Sequence, residues 1–149
     1  MRKLRILGVS AGQGALLYPF INQKNCKILG NIESRGVFHT PKEEQWKENF
    51  GDIPFLREGF DQKFKPNVIV SSPDCGASSI MRLSKVKQLG NPEENKSLNM
   101  VIQAILYYNP RVFLIENLPR LLSLIPIKYF EDIFNGYHLK FHEVSVSAF

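Results

Sequence analysis

The chain has 149 residues, of which 44% are hydrophobic and 22% are charged. These proportions are typical of a folded globular protein and exclude a disordered or collagen-like chain. Because every apolar run is far shorter than the roughly 18 residues of a membrane span, and because the basic start is a poor signal peptide, we expect one cytoplasmic domain over residues 1–149. Lys and Arg number 19 against 14 Asp and Glu, and this net charge of +5 favours a polyanionic partner.

The two cysteines, Cys26 and Cys75, lie far apart in the chain and form no Cys-x-x-Cys motif. Their spacing therefore indicates neither a zinc site nor a disulfide scaffold, and it favours a reducing compartment. We expect Cys26 to fill the core as a small hydrophobic residue.

Short apolar runs alternate with helix-compatible segments along the whole chain. We predict strands at 4–9, 27–32, 68–70, 112–115 and 141–146, with a further short element closing at 51–53. Helices are predicted to open at 15–18, to cover 42–49 and 98–106, and to cover 121–135 with an interruption at Pro126. This alternation predicts an α/β fold, a mostly parallel sheet with helices on both faces, in which ligands bind beyond the carboxyl ends of the strands.

A glycine-containing loop, Ser10-Ala11-Gly12-Gln13-Gly14, follows the first predicted strand. Its two glycines allow a tight turn and a close approach of the backbone to a ligand, and the helix predicted after it would offer free amides and a positive dipole end. Position 17 is Leu17 and not the third glycine of a dinucleotide fingerprint, so the pattern favours a smaller, nucleoside-type ligand.

Glu33 ends the second strand about 20 residues after this loop, a separation at which an acidic side chain accepts hydrogen bonds from ribose hydroxyls. The segment Gly51-Asp52-Ile53 would close the same pocket, with Asp52 accepting from an adenine amino group and Ile53 packing on the ring. An exposed loop glutamate and an ordinary turn would look the same in the sequence.

Two further polar segments follow buried strands. Ser71-Ser72-Pro73-Asp74-Cys75-Gly76 comes directly after 68–70, and Glu116-Asn117 comes directly after 112–115. We expect the thiol and the carboxyl group to face one cleft, since parallel strands end at a common edge. There the thiol can act as a nucleophile and the carboxyl group as a proton donor, while a core cysteine and an ordinary helix cap are the structural alternatives.

In this order, the segments resemble the catalytic half of the DNA cytosine-5 methyltransferases. The glycine loop resembles that family's Phe-Ala-Gly-x-Gly cofactor loop, Glu33 its ribose-binding acid, and Gly51-Asp52-Ile53 its Gly-Asp-Ile. Pro73-Asp74-Cys75-Gly76 resembles its Pro-Pro-Cys-Gln nucleophile loop, and Glu116-Asn117-Leu118 its Glu-Asn-Val element. The resemblance covers nearly the whole chain and implies a Rossmann-like methyltransferase fold that is truncated at its C-terminal end.

The resemblance also implies the cofactor S-adenosylmethionine and a target cytosine flipped out of duplex DNA. Cys75 would add to C6 of the base, Glu116 would hold or protonate N3, and Asn117 would orient the loop that carries Cys75. Arg82, behind that loop, is assigned a phosphate contact. The cofactor-binding residues would be Ser10, Ala11, Gly12, Gly14, Glu33, Ser34, Asp52, Ile53 and Pro73.

The chain departs from the family at three motif positions. Asp74 replaces a proline, Gly76 replaces a glutamine and Leu118 replaces a valine. The family also continues into a Gln-Arg-x-Arg stretch, a recognition domain and a C-terminal helix, so we expect DNA recognition to need a second polypeptide. A split enzyme, a shortened viral or mobile-element variant and a decayed remnant are the possibilities left open.

Two other functions remain alternatives at this point. The chain could be a non-catalytic regulatory or decoy module that keeps the cofactor fold. It could instead be an amino-group methyltransferase, if Ser72-Pro73-Asp74-Cys75 is a degenerate Ser-Pro-Pro-Tyr loop, although that chemistry needs an aromatic ring where Cys75 stands.

Overall fold

The computed structural model describes residues 3–34, 39–57, 59–75 and 95–144. Its strands are β1 (Leu4–Val9), β2 (Cys26–Glu33), β3 (Phe55–Arg57), β4 (Val68–Ser71) and β5 (Val112–Ile115). They form one sheet in the order β3-β2-β1-β4-β5, and each neighbouring pair is parallel. The predicted parallel α/β sheet is therefore confirmed.

The helices also follow the predicted pattern closely. They are α1 (His39–Phe50), α2 (Lys96–Tyr108), α3 (Leu121–Leu124) and α4 (Ile127–Ile133). The Asn95 side chain caps the start of α2 by accepting from the Leu98 amide, and Asn109 ends the helix in the left-handed conformation, with φ 44°. Pro126 separates α3 from α4, as predicted.

Side chains of β1 alternate between two cores, one on each face of the sheet. Leu7 packs with the apolar residues of α2, α3 and α4, whereas Ile6 packs with Trp46 and Phe50 of α1. Ile6, Leu7 and Val9 are fully buried. Because both faces are covered, the carboxyl ends of the strands are the natural place for a ligand.

Three predicted elements were wrong. Residues 15–18 open no α-helix, and only a 3-10 helix forms, at Tyr18–Phe20, where Pro19 has no amide hydrogen to continue an α-helical pattern. Of the strand predicted at 141–146, residues 141–144 form none, since Phe141 and Val144 are 41% and 70% exposed and their alternation buries no face, while residues 145 and 146 lie outside the described residues.

The third wrong element is Gly51-Asp52-Ile53, which forms a turn before β3. The Gly51 amide donates to the Lys47 carbonyl as α1 ends, and pairing with β2 begins only where Asn31 meets Phe55. The turn therefore lies at the amino end of β3, not at its carboxyl end as predicted.

The chain after β3 is held against the end of α2. Phe60 packs on Tyr107 and Tyr108, with ring centroids 5.2 and 5.9 Å away. The Tyr108 hydroxyl donates to the Asp61 carbonyl at 3.1 Å, and burial raises the pKa of Tyr108 to about 12. This packing holds Phe60 against the last turn of α2.

Gly14 and Gly12 allow a matched test of packing in the glycine loop. Both have positive φ, 85° and 58°, but a methyl group on Gly14 would lie 2.3 Å from a ring carbon of Phe50, whereas one on Gly12 would meet no atom within 4 Å. We expect Gly14→Ala to lower the free energy of unfolding by about 2 kcal/mol more than Gly12→Ala, because only the first overpacks the core.

Urea unfolding followed by the fluorescence of Trp46, the single tryptophan, measures both variants. Equal losses for the two substitutions would contradict the packing of Gly14 against α1.

Candidate active site

The Glu33 carboxylate is buried, at 3% exposure, where β2 ends beside the glycine loop. Its Oε2 accepts from the Gly12 amide at 3.0 Å and from Asn31 Nδ2 at 3.4 Å. Asn31 also accepts from the Ala11 amide at 3.4 Å and donates to the Gly12 carbonyl at 3.3 Å. The fully buried Asn31 therefore joins the loop to the carboxylate.

The other oxygen of Glu33 faces a cation. Lys42 Nζ lies 3.2 Å from Oε1, and the Lys42 side chain, which comes from α1, is 38% exposed. The ammonium compensates the cost of burying the carboxylate. A ribose bound at Glu33 would therefore meet Oε1 together with Lys42.

The glycine loop also contacts the strand on its other side. The Ser10 amide donates to the Ile32 carbonyl at 2.7 Å, and the Ser10 carbonyl accepts from the Ser72 amide at 3.2 Å. Ser10 has φ 49°, an unusual conformation for a residue other than glycine. The chain segments that leave β1, β2 and β4 are thus bonded to one another.

The loop that carries Cys75 is bonded to the residues that follow β5. Asn117 Nδ2 donates to the Pro73 carbonyl at 3.0 Å, and Ser72 Oγ donates to Glu116 Oε2 at 2.6 Å. Pro73 is buried, while Cys75 is exposed. The structure therefore brings together the segments of the predicted nucleophile and the predicted acid, and it places the thiol outside the core.

The start of α2 holds the same loop from a second side. Ser97 Oγ accepts from the Asp74 amide at 2.7 Å and donates to Asn95 Oδ1 at 3.3 Å. Asn95 Nδ2 donates to the Asp74 carbonyl at 3.4 Å. The backbone next to Cys75 is consequently bonded to a helix on one side and to Asn117 on the other.

An open groove of about 470 Å³ runs between the end of β2 and α2. This volume is within the usual range of small-molecule sites. The groove has both apolar and polar walls, from Ser34, Gly59, Phe60, Lys96, Asn99, Met100 and Gln103. Of the predicted cofactor residues, Ser34 lines it, directly after Glu33.

Some predicted site residues lie elsewhere. Asp52 is exposed in the turn before β3, and the Ile53 carbonyl accepts from Trp46 Nε1 at 2.7 Å. Their contact with an adenine stays a prediction. Gly76 and Arg82 lie outside the described residues.

The sequence interpretation missed Asn31, Lys42 and Ser97. Asn31 was detectable, because a polar residue inside an otherwise apolar strand pattern needs a hydrogen-bond partner when it is buried. Lys42 and Ser97 carried no such signal, since surface helices and helix starts commonly contain Lys and Ser.

No protein-family model and no curated protein matches this chain. Among solved structures, the crystal structure of the S. pombe Dnmt2 methyltransferase superposes with a TM-score of 0.61 over 91% of this chain, at 16% sequence identity. The aligned part is 41% of the S. pombe chain. The chain has a Rossmann-like methyltransferase fold. The predicted fold class is thereby confirmed. Separately, no helix among the described residues is long and apolar enough to cross a membrane.

Lys42 is expected to stabilise the folded chain through Glu33. Lys42→Met leaves the buried carboxylate without its cation, and we expect it to lower the free energy of unfolding by about 1–2 kcal/mol, below the usual cost of breaking a fully buried pair because Lys42 is partly exposed. The control is Lys47→Met, an exposed position on the same helix, for which a change within about 0.5 kcal/mol is expected.

Chemical denaturation of the two variants at one pH and salt concentration makes the comparison. If Lys42→Met and Lys47→Met unfold alike, the ion pair contributes nothing to stability.

Proposed function

We propose that this chain is an S-adenosylmethionine-dependent methyltransferase that methylates C5 of cytosine in DNA through a covalent adduct of Cys75. The observation that carries the proposal is the pair of hydrogen bonds from Asn117 to Pro73 and from Ser72 to Glu116. They hold an exposed thiol and a carboxylate on neighbouring loops. A base extruded from the duplex requires these two groups on the same side of the sheet.

The cofactor side of the site fits an adenosyl group in three respects. Glu33 offers a buried carboxylate at the end of β2, the space beside Gly12 is open, and Ser34, the residue after Glu33, lines a groove together with Phe60. We propose that Gly12, Glu33 and Ser34 hold the cofactor, which supplies the transferable methyl group as a sulfonium electrophile.

In the proposed reaction, the Cys75 thiolate forms a bond to C6 of the cytosine. The electron pair of the C5–C6 double bond moves to C5, and Glu116 stabilises this change by hydrogen bonding or proton donation at N3. C5 would then take the methyl group as the bond from that group to the sulfonium sulfur breaks. C5 afterwards gives its proton to solvent, N3 returns any proton it received to Glu116, the electron pair left at C5 restores the C5–C6 double bond, and Cys75 leaves as the thiolate. Asn117 is a positioning residue, because it contacts the Pro73 carbonyl and not the base.

We also propose that a second polypeptide supplies DNA recognition. One feature supporting this is the edge strand β5, whose outer side pairs with no other strand in the described part of the chain. Val112 and Leu114 on this strand are 58% and 52% exposed. An unpaired, apolar edge of this kind is suited to addition of a strand from another chain.

Covalent trapping tests the chemistry directly. With S-adenosylmethionine and a duplex that contains 5-fluorocytosine, the adduct cannot collapse, because fluorine cannot leave C5 as a proton does. We expect a complex that survives denaturing electrophoresis with the wild type and with Cys26→Ser, and none with Cys75→Ser. Persistence of the complex in Cys75→Ser would contradict the proposed function, and so would failure of the wild type to form it at a large excess of duplex, where recognition of a particular sequence by a second polypeptide is not needed.

Calorimetric titration with S-adenosylmethionine tests the cofactor site. Glu33→Gln replaces a charged acceptor, and hydrogen bonds to charged groups contribute about 1.5–3 kcal/mol, so we expect the affinity to fall by about tenfold or more. The matched control is Glu48→Gln, an exposed position on α1, for which the affinity is expected to stay near that of the wild type. A comparable loss in Glu48→Gln would contradict the assignment of the cofactor to Glu33.

A non-catalytic regulatory module is the second candidate, and the Lys42–Glu33 ion pair favours it. The carboxylate that a ribose would need already binds an ammonium group at 3.2 Å. In a module of this kind, cofactor and DNA binding are both indifferent to Cys75→Ser, and no covalent complex forms with either protein.

A further inference from the structure

Exposed cations collect at the amino ends of the strands, on the opposite edge of the sheet from Cys75. Two stand at the start of β1, two around the start of β2, one before β4 and one before β5. We call this surface the basic face, and its residues are Lys3, Arg5, Lys24, Lys27, Lys65 and Arg111, all exposed.

Asn67 holds the chain segments of this surface together. Its side-chain oxygen accepts from the Arg5 amide at 2.8 Å, its own amide donates to the Arg5 carbonyl at 2.9 Å, and its carbonyl accepts from the Arg111 amide at 3.0 Å. Arg5 and Lys27 are register partners in neighbouring strands. Arg5 and Lys27 are therefore mounted on paired strands, and Asn67 bonds the segment that carries Arg111 to the start of β1.

Among the residues that the structure describes, these cations form no ion pair. Within the described residues, the ion pairs are Lys42–Glu33, Arg57–Glu43 and Lys128–Asp132, and none of them involves the basic face. Asp61, on the loop before Lys65, accepts instead from the Lys63 amide. Cations on neighbouring strands, such as Arg5 and Lys27, repel one another, and binding of an external polyanion would relieve that repulsion.

We propose that the basic face binds the phosphate backbone of nucleic acid without reading its sequence. The four strands β2, β1, β4 and β5 cover about 14 Å at the usual strand spacing, and duplex DNA carries one negative charge per about 1.7 Å of its axis. A duplex therefore presents enough phosphates to engage all six cations. A membrane surface fits less well, since the exposed large hydrophobic residues next to these cations in the described chain are two single side chains, Leu4 and Val112, and not a continuous apolar face.

This binding is separate from the proposed catalytic chemistry. The basic face lies where the strands begin, whereas Glu33, Cys75 and Glu116 follow the strand ends. The basic face would retain a polynucleotide whether or not a cytosine occupies the cleft. Its six cations contribute to the net charge of +5 of the chain.

The test uses a fluorescein-labelled 24-base-pair duplex of dA and dT, which contains no cytosine, and measures anisotropy from 50 to 200 mM KCl. We expect Arg5→Gln/Lys27→Gln to weaken binding at least about tenfold at 100 mM salt and to reduce the slope of log K against log salt by about 1.8. A second pair on the same face, Lys3→Gln/Lys65→Gln, is expected to act in the same direction.

The charge-matched control is Lys47→Gln/Lys128→Gln, on α1 and α4, which should leave the salt slope unchanged. Equal losses in the control and the basic-face variants, or wild-type binding to phosphatidylserine vesicles with none to the duplex, would overturn the proposal. Titration with S-adenosylmethionine separates the two hypotheses. Variants of the basic face should bind the cofactor as the wild type does, so a failed cofactor site and a failed basic face give different results.

Discussion

Parallel pairing throughout the sheet is the constraint on which the candidate site depends. Because β1 lies between β2 and β4, the chain segments that leave these three strands meet at one edge, and the pairing of Ser71 with Ile115 adds the segment after β5. Strand pairing alone therefore brings residues that are distant in the sequence close together, and no direct contact between those residues is needed to do so. The bond between Asn117 and Pro73 and the bond between Gly12 and Glu33 both follow from this geometry.

The two carboxylates at this edge have opposite environments. Glu33 is buried and bonded to the backbone, to Asn31 and to a lysine, so its position is set before any ligand arrives. Glu116 is exposed and bonded to Ser72. A preorganised acceptor suits the recognition of hydroxyl groups, while an exposed carboxylate bonded to Ser72 is open to contact with a base that enters the cleft. The division of roles proposed for them follows from this contrast.

Elements governed by local pattern were predictable from the sequence. In β1 and α2 the spacing of the apolar residues is that of a strand and of a helix, and the sequence marks where each element ends. The structure confirms both elements. One error, the helix predicted at 15–18, overlooked a local signal, Pro19, whereas others occurred where a partner decides the conformation. Gly51-Asp52-Ile53 has the same residues as a cofactor-binding motif. Pairing between β2 and β3 nevertheless starts only at Phe55, so these three residues form a turn. In the same way, Lys42 contacts Glu33 only because α1 folds back over the end of β2.

The two edges of the sheet differ in charge as well as in chemistry. Its carboxyl edge combines Glu33 and Glu116 with a groove and a thiol, whereas its amino edge carries cations that form no described ion pairs. Strand termini in a parallel sheet are rigid, so both arrangements are held by the same backbone hydrogen bonds. The parallel direction of the strands therefore keeps the proposed reactive edge and the proposed phosphate-binding edge on opposite sides of one sheet, where neither has to compete with the other for space.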